Sequence, residues 1–251
     1  MMELIHMTAA YSNAVLVAIL PQVSDFAKKL DLPIPQPITA SQVAWSKSMP
    51  YKDMIEGAVI LTNQYWFAYD WHGYVNSFRS LDDNWFYEKN PATNWARYVG
   101  KDAMTTNEAI VLARDTLRKL GYEPEFLHAD GPPTSIQGPV DLKNGSHLPY
   151  CEIRWESPEP KTLEEQKNRT SMEFQINMEK KTVVGMAMVS GKIQGTPPKI
   201  GVEPELESDY QKRMGGKMFV RTNAPPHWLP NRITNANPAG PPSGGPDMKQ
   251  E

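Results

Sequence analysis

A cysteine attacks as its thiolate, and near neutral pH a thiolate needs an imidazole or another cation beside it. The chain has one cysteine, Cys151, and the histidines that could serve it as a base are His128 and His147. From Cys151 the order Cys-Glu-Ile-Arg-Trp-Glu alternates apolar and charged residues, so Cys151, Ile153 and Trp155 share the buried face of a strand. The thiol then reads as structural. His128 and Asp130 stand two apart, a spacing that puts two metal ligands on one side of an extended chain, but Gly131, Pro132 and Pro133 follow and make Asp130 a turn residue. A metal site needs three or four converging ligands, and no other histidine has ligand spacing. Two carboxylate pairs, Glu152 with Glu156 and Asp82 with Asp83, invite an acid-base reading. Arg154 between the first pair fits a solvated, ion-paired strand face better. Met214 to Lys217 has the glycines and lysine of a phosphate loop without its upstream glycine, its Ser or Thr, or its strand and helix. The expectation is a protein with no catalytic residue, no metal and no cofactor.

The densest cluster is aromatic. Residues 64–78 read QYWFAYDWHGYVNSF. A turn from Asp70 through Trp71 and His72 to a left-handed Gly73 makes this a hairpin, with Tyr69 opposite Val75, Ala68 opposite Asn76, Phe67 opposite Ser77 and Trp66 opposite Phe78. In that register Tyr65, Phe67, Tyr69 and Val75 form one face, and Trp66, Ala68, Tyr74, Asn76 and Phe78 form the other. His72 falls at the turn tip, where a general base lacks a pocket. The first face is core. The second is aromatic where solvent is expected, so Trp66, Tyr74 and Phe78 either pack against another part of the chain or form a surface that binds a protein or peptide.

The elements that position these residues follow from periodicity. Val23, Phe26, Ala27 and Leu30 make the stripe of an amphipathic helix beginning near Ser12 or at Pro21, and Asp31 to Pro37 ends it. Thr105 and Glu108 form a capping box for a second helix, which buries Ile110, Ala113, Leu117 and Leu120, exposes Arg114, Asp115, Arg118 and Lys119, and stops at Gly121. A strand is expected at Glu125–Ala129, then a loop over Asp130–Gly145. A hairpin closes this part, with Met172, Phe174, Ile176 and Met178 on one face, Glu173, Gln175 and Asn177 on the other, and a turn at Glu179–Thr182. Each half thus gives a helix and then antiparallel strands. Phe67, Tyr69, Asp70, Gly73 and Val75 align with Phe174, Ile176, Asn177, Lys181 and Val183, a weak internal repeat.

With 26 Lys and Arg against 29 Asp and Glu, the net charge of -3 supplies no field for nucleic acid, which is excluded as a partner. The apolar run Ala14–Leu20 is too short to span a bilayer and lacks the basic flank and cleavage site of a signal peptide. From Thr196 the chain turns to Pro, Gly and Asn, with a helical turn expected around Asp209–Met214, Trp228 and Leu229 as an anchor, and disorder from about Asn235.

The second half, EAIVLARDTLRKLGY (Glu108–Tyr122) followed by FQINMEKKTVVGM (Phe174–Met186), resembles the PepSY domain family. Asn177, Lys180, Lys181, Thr182 and Val183 are similar to that family's strand-turn-strand signature, with lysine at its turn glycine. Asp70, Gly73 and Val75 stand in the corresponding places of a more divergent first copy. The resemblance implies an α+β fold of two helix-plus-antiparallel-sheet units, PepSY- or cystatin-like, at residues 1–100 and 101–195, with a Pro/Gly-rich tail at 196–251. It also implies a non-catalytic module, often exported, that binds or inhibits peptidases. The expected function is protein or peptide binding. The alternative is a hydrolase-like enzyme using Cys151, His128 or His147 in a cleft between the units.

Overall fold

Thr8 opens helix α1, Ala9–Lys29, by accepting a hydrogen bond from Tyr11 N at 3.1 Å. The helix runs continuously through Pro21 and buries Tyr11, Val15, Ile19, Val23, Phe26 and Ala27 along one side. Helix α2, Thr106–Leu120, starts and stops as its sequence dictates: Glu108 Oε2 accepts from Thr105 N at 2.6 Å, and Gly121 closes it with φ +94°. Arg114 is not on a wet face. It donates to the carbonyls of Ala129, Asp130 and Gly131 and lies over the Trp155 ring, tying the turn after α2 to the sheet.

The structure is a computed structural model that describes residues 3–49, 51–52, 55–70, 72–83, 85–87, 95–191, 193 and 197–214. It is an α+β protein built on a large antiparallel sheet. Strands β2 (Val43–Ser48), β3 (Gly57–Leu61), β4 (Tyr65–Tyr69) and β5 (Val75–Ser80) run as a meander from one edge. From the other edge come β6 (Ser135–Gln137), β9 (Tyr150–Glu156), β10 (Thr170–Asn177) and β11 (Thr182–Ser190), giving the order β2-β3-β4-β5-β11-β10-β9-β6. The strands of the two expected units therefore lie in one sheet, joined where Ser77, Phe78 and Arg79 pair with Ala187, Met186 and Gly185. Both helices cover the same face. One core draws Phe26, Phe67, Phe78, Leu117, Phe174 and Met186 together across the join.

The other face is covered near the β10–β11 turn by a smaller cluster of Tyr98, Leu148, Tyr150 and Val184, to which the short hairpin β7 (Val140–Asp141) and β8 (His147–Leu148) contributes. Asp83 fastens it, accepting from Tyr150 Oη at 2.5 Å, Asn177 Nδ2 at 3.1 Å and Lys180 Nζ at 2.7 Å. Burial pushes the Asp83 carboxyl up, but the bonds from Lys180 and Tyr150 outweigh it and hold it below the usual aspartate range. A five-residue helix α3, Leu163–Lys167, joins β9 to β10.

Three expectations differ. Glu125–Ala129 is a run of turns, because Pro124 begins it and its carbonyl accepts from both Leu127 N and Ala129 N. Asp130–Gly145 holds strands β6 and β7, which polar, proline-flanked sequence disguised as loop. The start of the tail belongs to the body, residues 1–210. There β12 (Glu205–Leu206) pairs with β1 (Ile5–His6), Tyr210 stacks on His6 at 3.5 Å, and helix α4, Glu207–Arg213, follows. Trp71, Trp228, Leu229 and the segment from Asn235 lie outside the described residues.

Candidate functional site

The β4–β5 hairpin holds an extra residue that its sequence did not announce. Tyr69 pairs with Val75 as expected, but Ala68 then pairs with Ser77, Phe67 with Phe78 and Trp66 with Arg79, leaving Asn76 as a bulge. A shift of one residue sends every later side chain to the opposite face. Phe78 is consequently core, 1% exposed and packed edge-on against Phe26 at 5.8 Å. Tyr74 lies with the helices: it borders a groove with Phe26 of α1 and Leu120 of α2. Trp66 alone keeps the outer face, half-buried, with the Arg79 guanidinium 4.2 Å above its ring. The expected patch of Trp66, Tyr74 and Phe78 is thus divided among three environments.

The register supplies Trp66 with other neighbours. Across the ladder Trp45 of β2 faces Ile60, Ile60 faces Trp66, Trp66 faces Arg79, Arg79 faces Gly185, Gly185 faces Gln175, and Gln175 faces Glu152. The next row holds Ala58, Ala68, Ser77 and Ala187, then Glu173 and Arg154. One end of this face is apolar and open, since Trp45 is 42% exposed on an edge strand. Its middle is floored by small residues. Its far end is ionic: Arg154 Nη2 bonds Glu173 at 2.6 Å and Glu152 at 3.3 Å, and Gln175 Nε2 donates to Glu173 at 2.7 Å. This end is not solvated as alternation suggested, because Glu173 is 9% and Gln175 3% exposed. Burial, and then the Glu173 charge, raises the Glu152 carboxyl above its ordinary range.

Trp45, Ile60 and Arg79 were missed as members of this face, whereas Glu173 and Gln175 were placed outward but without the neighbours that cover them. For Trp45 the signal was present in the alternation Val-Ala-Trp-Ser-Lys-Ser, which marks a strand with Trp45 and Lys47 on one side. For the others the partners are remote in sequence.

The remaining candidates do not converge. Cys151 is fully buried and burial pushes its thiol up to about 11, which leaves no thiolate for attack. His128 sits in the turns after α2 with φ +59°. His147 is engaged by two carboxylates, with Nε2 2.9 Å from Asp102 and Nδ1 2.7 Å from Asp141. These contacts raise its pKa. His72 is not a bare turn tip: Asp70 accepts from its backbone N at 2.9 Å and lies 3.1 Å from Nδ1, Tyr74 stacks beside it, and Pro198 packs on Gly73. Among the described residues no three His, Cys, Asp or Glu side chains are grouped to hold a metal. No helix of the described residues is long and apolar enough to cross a membrane. Comparison of the chain with family models, curated proteins and solved structures finds no match.

Proposed function

We propose that this protein is a non-catalytic binding module that captures a protein or peptide on the outer face of its sheet, with Trp45, Ile60, Trp66 and Arg79 as the anchoring row. The observation that carries this reading is the row itself: an exposed tryptophan continuous with a half-buried tryptophan and its stacked arginine, the residue types in which binding energy concentrates. The small residues beside it let a partner backbone approach closely. Docking by edge pairing has less support, because β2 is interrupted by a bulge at Ala44 and carries Lys47, and β6 is only three residues long.

The PepSY-like, twice-repeated arrangement belongs to this proposal, and with it a peptidase as the partner class. Its support is that each side of the β5–β11 join runs helix, then edge strand, then three sheet strands, and that the aligned residues Phe78 and Met186 face each other there.

What weighs against the enzyme alternative is that Cys151 is buried within one continuous sheet. A random-peptide display selection followed by titration of the selected peptides tests the binding proposal. Trp66→Ala and Trp45→Ala should each weaken capture by about thirtyfold, corresponding to about 2 kcal/mol, with thermal stability nearly unchanged. Peptides that bind the double variant as tightly as the parent would sink it.

A further inference from the structure

The short hairpin β7–β8 pairs only with itself and stands apart from the main sheet. Asp141 lies opposite His147 across its ladder, and its turn is closed by Leu142 N donating to Ser146 O and Asn144 Oδ1 accepting from Ser146 N. Two links run outward. Leu148, fully buried, packs with Tyr98, Tyr150 and Val184, and Leu142 of the turn rests on the same cluster. Gly100 N donates to the His147 carbonyl at 3.1 Å, joining the hairpin to the segment that leads into α2. The hairpin is thus a cover, held along one side by that segment.

Across this junction the His147 ring stands between carboxylates from two different segments. Nε2 is 2.9 Å from Asp102 Oδ1, on the approach to α2, and Nδ1 is 2.7 Å from Asp141 Oδ1, on β7. An imidazolium has a proton on each nitrogen and suits both oxygens, whereas a neutral ring has one proton and turns a lone pair towards the other oxygen. The arrangement fits the charged ring. Asp141 is the closer carboxylate and lies directly opposite in the same hairpin, so a neutral ring keeps its proton there and gives up Asp102, the contact that crosses between segments. The surrounding charges do not take over this role: Glu108 borders the same cavity as Asp102, Glu179 lies against Gly100, and Lys101 and Lys143 are exposed. Tyr150 in the cluster beneath is pushed up by burial and then by its bond to Asp83, so it stays neutral.

We propose that His147 is a pH-sensitive latch: protonated, it holds the β7–β8 hairpin to the segment before α2, and on deprotonation it frees the hairpin and uncovers the Tyr98, Leu148 and Tyr150 cluster. The contact with Asp102, and then that with Asp141, raises the pKa of His147. A histidine raised in the folded state contributes fully below its unfolded value of about 6.5, and that contribution is lost as pH rises through the folded value. The latch therefore closes in acid and opens towards alkaline pH. It does not depend on the outer-face reading, because the row of Trp45, Ile60, Trp66 and Arg79 supplies none of its groups.

Hydrogen exchange at the Gly100 amide of the whole chain, expressed as a protection factor to remove the intrinsic pH dependence of exchange, tests this together with an NMR titration of the His147 ring. Between about pH 5.5 and about pH 8.5, protection at Gly100 should fall by about fivefold, the scale of an exposed ion pair, while amides inside α2 keep theirs. Asp102→Asn offers an amide that donates to an unprotonated Nε2 and accepts from a protonated one, so it should make protection independent of pH. His147→Asn, too short to reach both carboxylates, should show the low alkaline protection at every pH. A His147 ring that titrates at or below the ordinary histidine value, Gly100 protection that persists in the parent at alkaline pH, a pH dependence that survives Asp102→Asn, or full acid protection in His147→Asn would each overturn the proposal.

Discussion

The hairpins β4–β5 and β10–β11 share a backbone and differ in what they do with their outer face. In each, the residue before the turn uses its side-chain oxygen to hold the turn, Asp70 accepting from His72 N and Asn177 from Lys180 N. In each, the return strand carries one extra residue close to the turn, Asn76 in the first and Val184 in the second. After those bulges Phe78 and Met186 point to the core and meet across the join. On the outer face the first hairpin presents Trp66, Ala68, Ser77 and Arg79, and the second Glu173, Gln175, Gly185 and Ala187. The polar face is the buried one. Glu173 and Gln175 are satisfied by Arg154 and by each other, so their burial costs little, whereas Trp66 stays half-exposed. Polarity of side chains therefore does not say which outer face is covered; the partners do.

Inserting a residue beside the bulge is the strongest way to break this likeness. One residue added between Asn76 and Ser77 puts Ser77 opposite Phe67, turns Phe78 to the outer face and sends Arg79 to the core side. Burying a guanidinium and losing Phe78 from the core would remove most of a marginal stability of about 5–15 kcal/mol. Deleting Asn76 should cost far less, because Ser77, Phe78 and Arg79 then follow Val75 in regular alternation and keep Ala68, Phe67 and Trp66 as partners. Deleting Val184, by contrast, should destabilise through its loss from the Tyr98 and Tyr150 cluster. Chemical denaturation should show the insertion largely unfolded and the Asn76 deletion near the parent's midpoint; an insertion variant with the parent's midpoint would mean that this register does not hold Phe78 in the core.

The same bulge explains where sequence reasoning stopped. Helix α2 was legible cap to cap, because Thr105, Glu108 and Gly121 act on their own backbone. The inward positions Phe67, Tyr69, Cys151, Ile153, Phe174 and Ile176 were legible from alternation. Phe78 was not, since one unannounced residue inverts a period-two pattern and nothing local marks Asn76 as that residue. Its side-chain oxygen is in fact buried with no partner among the described residues. Arg114 was misread as wet because the carbonyls it binds lie 15 to 17 positions away. The outer-face row depends on strand order, and the β5–β11 pairing that completes it joins residues far apart in the chain.

A middle-sized effect separates the hairpins by pH. The Asp83 carboxyl, which braces the second hairpin through Lys180, Tyr150 and Asn177, is lowered in the folded state, so its contribution is present above the unfolded aspartate pKa of about 3.9 and is lost as pH falls towards the folded value. Asp70, at the first hairpin, is raised by burial against the bond to His72, so its ionised form disfavours the fold at neutral pH and protonation on acidification relieves it. Asp83→Asn should cost about 1–3 kcal/mol at neutral pH, with the deficit shrinking below about pH 4. Asp70→Asn should stabilise at neutral pH and lose that advantage in acid. Urea denaturation across the pH range reads both, and parallel curves for the two variants would show that the hairpins are braced alike.

The smallest effect bears most directly on the outer face. Arg79 lies over Trp66 on a half-buried surface, where a cation-π pair contributes about 0.5–1 kcal/mol. In the second hairpin the aligned pair is Glu173 with Ala187, which has no such contact, so the coupling should be confined to the first. A double-mutant cycle with Trp66→Ala and Arg79→Ala should return a coupling of that size, and the same cycle at Glu173 and Ala187, using Ala187→Gly, should return about zero. Adding a peptide selected on the outer face discriminates further. If Trp66 with its stacked arginine is an anchor, the peptide's affinity falls in both single variants and their effects are less than additive, because either truncation already dismantles the stacked pair. Full additivity would place Arg79 outside the binding row and leave Trp45, Ile60 and Trp66 as its members.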